Sequence, residues 1–584
     1  MRKLRRGQRL AVAAAAMVIL AQGAAGAATS PSLRPTQPVD ATKADLNPDR
    51  TYTAPNYAVD PANPLHIVGG FMDLRTRRCG LIRSLDGGTT WKILDAAPAN
   101  DTDPFCLVTS RNVFHAYVAF GRNNNLYYGL VGWDDQDKAV GAGDTSVLLG
   151  RSTDLGDSWQ TTIVRNNRGK SGTDSESDGP MNGLVVDSHS GSADIVYVGY
   201  RRSQPGFTAP NAAVGQPMVA ISTDAGKTFG DPVTVVDGAF STDDARNNLL
   251  NATTTVPGVT TTTTPAPAGS LAAQPNQAAN FGGGNASIAI DNKGTVYSAW
   301  GGSTANVTPS PPTSYFLSKS TDHGKTWTVT QISAPSYTNS GNQRLAWSSG
   351  GGPNGTLSLV AQGNDQLQIG SLSHIWYFRS TDGGKTWSKP KPLDDDNPAL
   401  LVSQVVPNVS AAPNGRIDVA WWDTRDDPGV TSNDVYYTTS SDNGATWSKN
   451  LRITDQTDNR RVGVWLNNFN MSTPPGIIST NAFTLFGWDD TRASDPKTIA
   501  QNEVIGTQDI GGGTTDIYTS AVQFSAIGGG VSKAVKAVLA GVIGLLAVGL
   551  VLVFASMVTR RRDPLPPARQ VTGRAPSPRE ASRP

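Results

Sequence analysis

The hydrophobic positions of this chain fall in short runs that recur along most of its length. Seven of these runs are rich in Val, Ile, Tyr, Trp and Phe and are bounded by Gly, Asn or Asp, which is typical of β-strands. They span residues 66–71, 125–133, 194–201, 295–301, 356–363, 416–423 and 482–490. A shorter apolar run follows each of them, and the last of these lies at 516–519. The recurrence of such strand pairs predicts an all-β repeat architecture.

Six of the shorter runs lead into one octapeptide, Ser-x-Asp-x-Gly-x-Thr/Ser-Trp/Phe. Ser and Asp side chains cap backbone N–H groups in tight turns, and glycine adopts a positive φ without steric cost. The octapeptide therefore predicts a hairpin turn with structural aspartates, followed by an aromatic side chain that packs between neighbouring sheets. The copies span residues 84–91, 152–159, 222–229, 320–327, 380–387 and 440–447, with aspartates Asp86, Asp154, Asp224, Asp322, Asp382 and Asp442.

This octapeptide resembles the Asp-box, or BNR repeat, of the sialidase-like superfamily, and the resemblance covers about residues 52–525. It implies a β-propeller. The seven strand runs predict seven blades, with six as the alternative, which is the number the sialidases themselves have. No octapeptide follows the seventh pair of runs, so the last blade is predicted to lack its outermost strand. The segment 28–51 is expected to be a linker that can also supply that strand and close the ring.

The two ends of the chain carry apolar segments of a different kind. Residues 1–27 combine five basic residues, an apolar run and a small-residue ending, which predicts a secretory signal peptide. Residues 537–558 contain no charged residue and precede three arginines, which predicts a membrane-spanning helix with a disordered cytoplasmic tail at 559–584. We therefore expect a single-pass cell-membrane protein whose N-terminal domain is extracellular. Residues 526–536 are expected to form a juxtamembrane linker, and the Thr/Pro/Gly-rich residues 247–284 a flexible insertion in the propeller.

Charge and cysteine content narrow the function classes. The chain of 584 residues has a net charge of +1, but its two ends and the juxtamembrane linker carry +12, so the exported body is near −11. Such an acidic surface repels phosphates, which argues against a nucleic-acid partner. The two cysteines, Cys79 and Cys106, are expected to form a disulfide in an oxidising compartment, contributing roughly 3 kcal/mol. A pair of buried free thiols is the alternative.

Charged residues follow the seven strand runs, in loops that gather at one face of a propeller. Arg binds carboxylates bidentately, Asp accepts hydrogen bonds from hydroxyls, and indole faces cover sugar rings, so these residues predict a carbohydrate site. The alternative is that each Asp–Arg pair is a local salt bridge and that the loop aspartates are solvated. The residues are Arg75, Arg77 and Arg78; Asp134, Asp135 and Asp137; Arg201 and Arg202; Ser303; Asn364 and Asp365; Trp422, Asp423, Arg425 and Asp426; and Trp488, Asp489, Asp490 and Arg492.

Catalytic residues are harder to assign. The resemblance implies three carboxylate-binding arginines, a Tyr paired with a Glu as nucleophile and an Asp as acid/base catalyst, but the Phe/Tyr-Arg-Ile-Pro stretch of sialidases is absent. The exported body has only two glutamates, so the candidates are Glu176, Glu503, Asp423 and Asp489, and a two-carboxylate glycosidase stays open. The histidines lack zinc-site spacing, and residues 394–397 are interpreted as an acidic turn in preference to a calcium site. No metal or cofactor is expected.

Two functions fit these observations. The first is a cell-surface propeller that recognises glycans or glycoproteins on one face, with or without hydrolysis of the exo-sialidase type. The alternative is a non-catalytic scaffold that binds another envelope protein through the same face.

Overall fold

The computed structural model is a seven-bladed β-propeller. Each blade is an antiparallel sheet, and the innermost strands of successive blades contact one another in turn until the seventh meets the first. The prediction of seven blades is confirmed, and the alternative of six is wrong. The structure describes residues 31–38, 52–73, 78–94, 105–106, 116–133, 145–166, 178–203, 215–235, 287–302, 314–332, 343–364, 373–397, 402–427, 432–459, 473–492, 502–505, 508–511 and 515–524.

The strands of each blade follow one another from the central channel outwards. Blade 1 contains Tyr52–Val59, Ile67–Asp73, Arg78–Ser84 and Lys92–Leu94; blade 2 contains Tyr117–Phe120, Leu126–Trp133, Thr145–Ser152 and Gln160–Asn166, with Phe105–Cys106 on the inner edge; blade 3 contains Asp178–Asp187, Ile195–Ser203, Gly215–Ser222 and Val233–Thr234. Blade 4 contains Ser287–Ile290, Val296–Gly302, Ser314–Ser320 and Thr328–Gln331; blade 5 contains Gln343–Ser348, Thr356–Asn364, Ser373–Ser380 and Lys391–Pro392. Blade 6 contains Gln404–Ala411, Ile417–Asp423, Ser432–Ser440 and Leu451–Arg452, and Asp458–Asn459 also pairs with its third strand; blade 7 contains Gly476–Ser479, Phe483–Asp490 and Asp516–Gln523. Asn502–Ile505 and Gln508–Gly511 form a separate hairpin, and Arg122–Asn124 form a 3-10 turn.

Each predicted strand run is the second strand of its blade, so another strand separates it from the channel. In blades 6 and 7 every residue of this second strand is buried. The strand is covered on both faces because neighbouring blades pack against it from either side. The hydrophobic core is therefore divided into layers between blades, which explains why these runs read as continuously apolar and not as alternating.

The N-terminal segment supplies the outer edge of blade 7. Ser32–Leu33 and Gln37–Pro38 pair antiparallel with Asp516–Gln523, so the ring closes within the 28–51 segment from which a closing strand was expected. Arg34 fixes the contact, because its guanidinium donates to the carbonyl of Gly87 and to Oε1 of Gln523, both at 2.7 Å. Its charge also lies 4.6 Å from the centre of the Phe483 ring. The two ends of the propeller are thus held by backbone pairing and by one cation.

All six octapeptides share one hydrogen-bond pattern. The serine hydroxyl donates to Oδ1 of the aspartate at 2.7–2.8 Å, and the amide of the glycine two residues after the aspartate donates to the serine Oγ at 2.8–2.9 Å. The Thr or Ser at the seventh position donates its hydroxyl to Oδ2 at 2.5–2.6 Å. In Asp154, hydrogen bonds from Ser158 and Ser152 lower the pKa to about 2. The aspartates are structural, as predicted.

The octapeptide also joins each blade to the one before it. Its glycine has a positive φ, +80° at Gly444, and a Cβ there would overlap the Tyr377 hydroxyl of blade 5. The ring of Trp447 packs edge-on against the same tyrosine, with centroids 4.7 Å apart. In blade 1, Trp91 Nε1 donates to Thr519 Oγ1 of blade 7 at 3.2 Å. The predicted packing between neighbouring sheets is therefore present.

Cys79 is disulfide-bonded, and Cys106 is the only other cysteine of the chain. The bond would tie the third strand of blade 1 to the inner edge of blade 2, where Cys106 pairs with Gly132. Residues 1–27, 247–284, 526–536, 537–558 and 559–584, for which a signal peptide, an insertion, a linker, a spanning helix and a tail are predicted, lie outside the described residues. Within the described part of the chain, no helix has the length and apolarity needed to cross a membrane.

Candidate functional site

The two faces of the propeller are defined by the octapeptides. Each octapeptide follows a third strand and contacts the turn that precedes a second strand, as in the hydrogen bond from the Gly87 amide to the Leu65 carbonyl (2.9 Å). The second strands run antiparallel to the third and therefore end at the opposite face, which we call the top face. The predicted charged residues lie at or beyond these strand ends.

Blade 6 ends its second strand in a closed cluster on the top face. Trp421 Nε1 donates to Oδ2 of Asp423 at 2.9 Å, and the Arg425 guanidinium donates to the same oxygen at 2.7 Å. Arg425 also pairs with Asp395 of blade 5 at 2.9 Å and lies 4.2 Å from the centre of the Tyr436 ring. Burial alone would lower the pKa of Arg425, but the hydrogen bond and charge of Asp423 outweigh burial and raise it.

Blade 7 repeats this cluster residue by residue. Trp488 Nε1 donates to Oδ2 of Asp490 at 2.9 Å, and Arg492 donates to the same oxygen at 2.8 Å. Arg492 reaches back to Asp455 of blade 6 at 2.7 Å and lies 4.2 Å from the Tyr518 ring centre. Each arginine therefore joins its own blade to the preceding one. Arg425 forms a salt bridge with Asp423, and Arg492 forms one with Asp490. Salt bridges of this kind were the predicted alternative to a carbohydrate site.

The predicted aromatic platform is not formed by the tryptophans. Trp422 is 1% exposed and donates through Nε1 to the Thr473 carbonyl, and Trp488 is 0% exposed. Their rings lie in the layers between blades, so they are not available to a ligand in this structure. Asp423 corresponds to Asp490, because both accept from a tryptophan two residues earlier. Asp489 faces the opposite way and accepts from Thr473 Oγ1 at 3.3 Å.

The other predicted residues are described only in part. Arg201 and Arg202 lie in the second strand of blade 3, and Glu503 lies in the hairpin strand Asn502–Ile505; for these three only the backbone is described. Asn364, likewise described by its backbone, ends the second strand of blade 5, and Arg78 begins the third strand of blade 1. The following lie outside the described residues: Arg75, Arg77, Asp134, Asp135, Asp137, Glu176, Ser303 and Asp365.

The acidic turn at 394–397 is held by protein contacts. Asp394 Oδ2 is 2.7 Å from Nδ1 of His374, and its Oδ1 accepts from the Ile375 amide at 2.9 Å. Burial, together with the charges of Asp394 and Asp423, raises the pKa of Asp396. Across the described ranges, no group of three or more His, Cys, Asp or Glu side chains is arranged to hold a metal ion.

A cavity of about 200 Å³ lies in the central channel. Since an engineered cavity of about 150 Å³ binds one benzene molecule, this volume suits one small ligand. Every blade contributes its innermost segment to the wall, through Asn56, Tyr117, Leu184, Ser287, Arg344, Asn408 and Ile477. None of these residues was predicted from the sequence, because the long apolar runs mark the second strands and the loops after them, and not the innermost segments.

Most polar groups of this cavity are used to join neighbouring blades. Ser287 Oγ accepts from the Leu345 amide at 3.0 Å, Ser410 Oγ accepts from the Ser479 amide at 3.0 Å, and Asn408 Nδ2 donates to the Pro475 carbonyl at 2.9 Å. These hydrogen bonds hold the inner strands of neighbouring blades together. Among the polar side chains of the wall, Arg344 is then the main one that can bind a ligand.

Arg344 is the only charged side chain in the described wall of the cavity. It is half-buried, and its Nη1 donates to the carbonyl of Gln343 at 2.9 Å. Within the described ranges no carboxylate lies within salt-bridge distance of it. Burial raises the pKa of Tyr117, and the positive charge of Arg344 partly offsets this, which places the guanidinium near the Tyr117 ring. A half-buried guanidinium without a counter-ion has unused donors for an anion.

Comparison with known proteins agrees with the repeat geometry. Residues 378–389, which include the whole fifth octapeptide, match the BNR/Asp-box repeat family model. The other five octapeptides have the same hydrogen-bond pattern as the matched copy. No curated protein matches the chain.

Solved structures that resemble the chain include enzymes that act on carbohydrates. The Hadza microbial sialidase Hz136 has a TM-score of 0.40 and 14% identity, covering 79% of this chain and 74% of its own. The phage phi92 endosialidase has a TM-score of 0.40 and 11% identity, covering 82% of this chain and 68% of its own. An α-L-arabinanase of Penicillium chrysogenum, solved with arabinobiose, has a TM-score of 0.39 and 11% identity, covering 70% of this chain and 98% of its own. None of these values assigns an activity to the chain.

Proposed function

We propose that this propeller is exported, held at the cell membrane by residues 537–558, and binds a small acidic saccharide in its central channel. The signal peptide predicted at 1–27 and the uncharged segment at 537–558 support the location. The single observation that carries the binding function is the central cavity, with Arg344 as its only charged lining group in the described wall.

The cavity favours a ligand that carries one negative charge. Arginine binds a carboxylate through two parallel hydrogen bonds, and a hydrogen bond to a charged group stabilises a complex by about 1.5–3 kcal/mol. The amide of Asn56 on the same wall adds a group that can bond hydroxyls. The cavity suits one small unit, so the proposed ligand is the terminal residue of a saccharide.

The experiment compares two arginines that differ in their surroundings. Full-length protein in detergent is tested for binding of sialic and uronic acids and matched neutral sugars by saturation-transfer NMR, and for release of fluorogenic exo-glycosides. Arg344→Gln is expected to weaken acidic-sugar binding about 10- to 100-fold, which corresponds to the loss of one charge-assisted bond. Arg492→Gln, in which the top-face salt bridges are broken, is the matched control and is expected to bind as the wild type does.

The opposite pattern, loss in Arg492→Gln with unchanged Arg344→Gln, would move the site to the top face. Hydrolysis would further be traced with Asp423→Asn, Asp489→Asn, Glu176→Gln and Glu503→Gln, the carboxylates that remain candidates. Absence of binding to every sugar would end the carbohydrate proposal.

A second function, binding of an envelope protein through the top face, is favoured by one specific observation. Arg425 and Arg492 are each already paired with two aspartates, so their charges are compensated without a ligand. A rim of completed salt bridges suits a protein contact in which most charge is already neutralised. Cross-linking from a cysteine placed beside Arg492 in the full-length protein would identify such a partner.

A further inference from the structure

The junction between blades 6 and 7 contains a carboxyl group without a counter-ion. Asp458 is 2% exposed and lies in the short strand Asp458–Asn459, which pairs with Ser432–Asn433 of blade 6. Its Oδ1 accepts two hydrogen bonds from Thr491 of blade 7, from the amide at 2.9 Å and from the hydroxyl at 2.6 Å. Asp458 thus bridges the two blades just below the top face.

The other oxygen of this carboxyl group has no hydrogen-bond partner in the described structure. Oδ2 of Asp458 is buried and unbonded, and so are both Oδ1 and Nδ2 of Asn433, which is 1% exposed. Asn433 and Asp458 are register partners in the ladder, so their side chains project from the same side of the two strands. Two buried polar groups without partners therefore lie beside each other.

The charges around Asp458 oppose its ionised form. Asp490 and Asp489, in the second strand of blade 7, act on it with like charge, and among the described residues its hydrogen-bond donors both come from Thr491. Arg492 already forms salt bridges with Asp490 and Asp455. Arg452, on the outer strand of blade 6, forms salt bridges with Asp434 and Asp426. No arginine or lysine of the described residues pairs with Asp458. A buried carboxylate without a counter-ion costs several kcal/mol, so the neutral acid is the favoured form.

We propose that Asp458 is held as a neutral carboxylic acid, with its Oδ2 hydroxyl directed at the amide of Asn433, and acts as a proton-dependent latch between blades 6 and 7. Losing the proton places an uncompensated charge beside Asp489 and Asp490 and weakens the junction that carries the Arg492 salt bridges. The latch is independent of whether the channel binds a sugar.

The direction of the pH effect follows from linkage. Burial raises the pKa of Asp458 to about 7, the Thr491 hydrogen bonds act against this, and the charges of Asp490 and Asp489 add to it. In the unfolded chain the same group titrates near 3.9. The folded protein therefore binds this proton between about pH 4 and pH 7 when the unfolded chain does not, and stability falls as pH rises through that window.

The test is a comparison of urea unfolding of the full-length protein and its Asp458→Asn variant from pH 4.5 to 8. Asparagine keeps the shape and is neutral at every pH. The unfolding equilibrium constant of the wild type, relative to the variant, is expected to rise about tenfold per pH unit up to pH 7 and then to level off. Asn433→Ala is expected to make this rise level off below pH 7, since the neutral acid then loses the group that its hydroxyl faces and its folded-state pKa falls.

A second readout is the hydrogen exchange of the Thr491 amide, which donates to Asp458. After correction for intrinsic exchange, its protection in the wild type is expected to fall as pH rises from 4.5 to 7 and to level off above pH 7, and to stay constant in Asp458→Asn. Parallel stability curves for wild type and Asp458→Asn would overturn the proposal. So would stabilisation of the wild type by added Ca²⁺ that is absent in Asp458→Asn, because the site would then hold a cation and not a proton.

Discussion

Replacing the glycine of the sixth octapeptide tests whether blade-to-blade packing, and not the turn alone, fixes this residue type. Gly444 has φ +80°, and a Cβ there would overlap the hydroxyl of Tyr377 in the preceding blade. Tyr377 is buried and bonded to Ser358 at 3.1 Å, so it has little freedom to move away. Left-handed backbone costs alanine about 1–2 kcal/mol, and forced overpacking costs about 1–3 kcal/mol more. Gly444→Ala is therefore expected to lose about 2–5 kcal/mol of unfolding free energy.

Two other glycines separate the two costs. Gly191 has φ +65°, and a methyl group there would meet no atom within 4 Å, so Gly191→Ala is expected to lose only the backbone part, about 1–2 kcal/mol. Gly230 has open space and no positive φ, so Gly230→Ala is expected to change stability by less than about 0.5 kcal/mol. Urea unfolding followed by tryptophan fluorescence measures all three. Equal losses in Gly444→Ala and Gly191→Ala would refute the packing argument.

Three further outcomes follow from the same contacts. Hydrogen bonds from Thr446 lower the pKa of Asp442 to about 2, so its contribution is present above about pH 4 and is lost as pH falls towards 2; wild-type and Asp442→Asn stabilities should converge in acid, and a constant gap would contradict this. Arg34→Ala removes two charged hydrogen bonds and the Phe483 contact, so urea unfolding should show a loss of about 2–4 kcal/mol, against little change for the exposed Lys92→Ala. Cys106→Ser should lose roughly 3 kcal/mol, and an unchanged unfolding midpoint would contradict a structural role for the disulfide.

The repeat architecture could be predicted from the sequence because each octapeptide has residue types that favour a turn and always follows a pair of strand runs. Ser, Asp and Gly indicate the turn, because they form its hydrogen bonds. The strand runs indicate the sheets that pack on either side of it. Counting runs gave the blade number even though blade 7 has no octapeptide after Tyr518. A closing strand was expected because the seventh pair of runs is followed by no octapeptide and so lacks an outermost strand. The residues that supply it, Ser32–Leu33 and Gln37–Pro38, carry no strand pattern of their own.

The candidate site was less accessible, since side-chain direction depends on the packing of whole blades. Trp422 and Trp488 lie near the ends of strands that are buried on both faces. Their rings are therefore buried although each strand ends within two residues. The correspondence of Asp423 with Asp490 required knowledge of which tryptophan each carboxylate accepts from. Arg344 carried one usable signal, a lone arginine in a short strand of otherwise uncharged residues, Gln343–Ser348.

The pairing of residues 32–38 with the last strand of the propeller sets the order in which this molecule can be completed. The segment that covers the edge of blade 7 emerges first during synthesis, and its partner, Asp516–Gln523, emerges nearly five hundred residues later. Until then the leading segment lacks the strand with which it pairs, and an interrupted chain cannot complete blade 7.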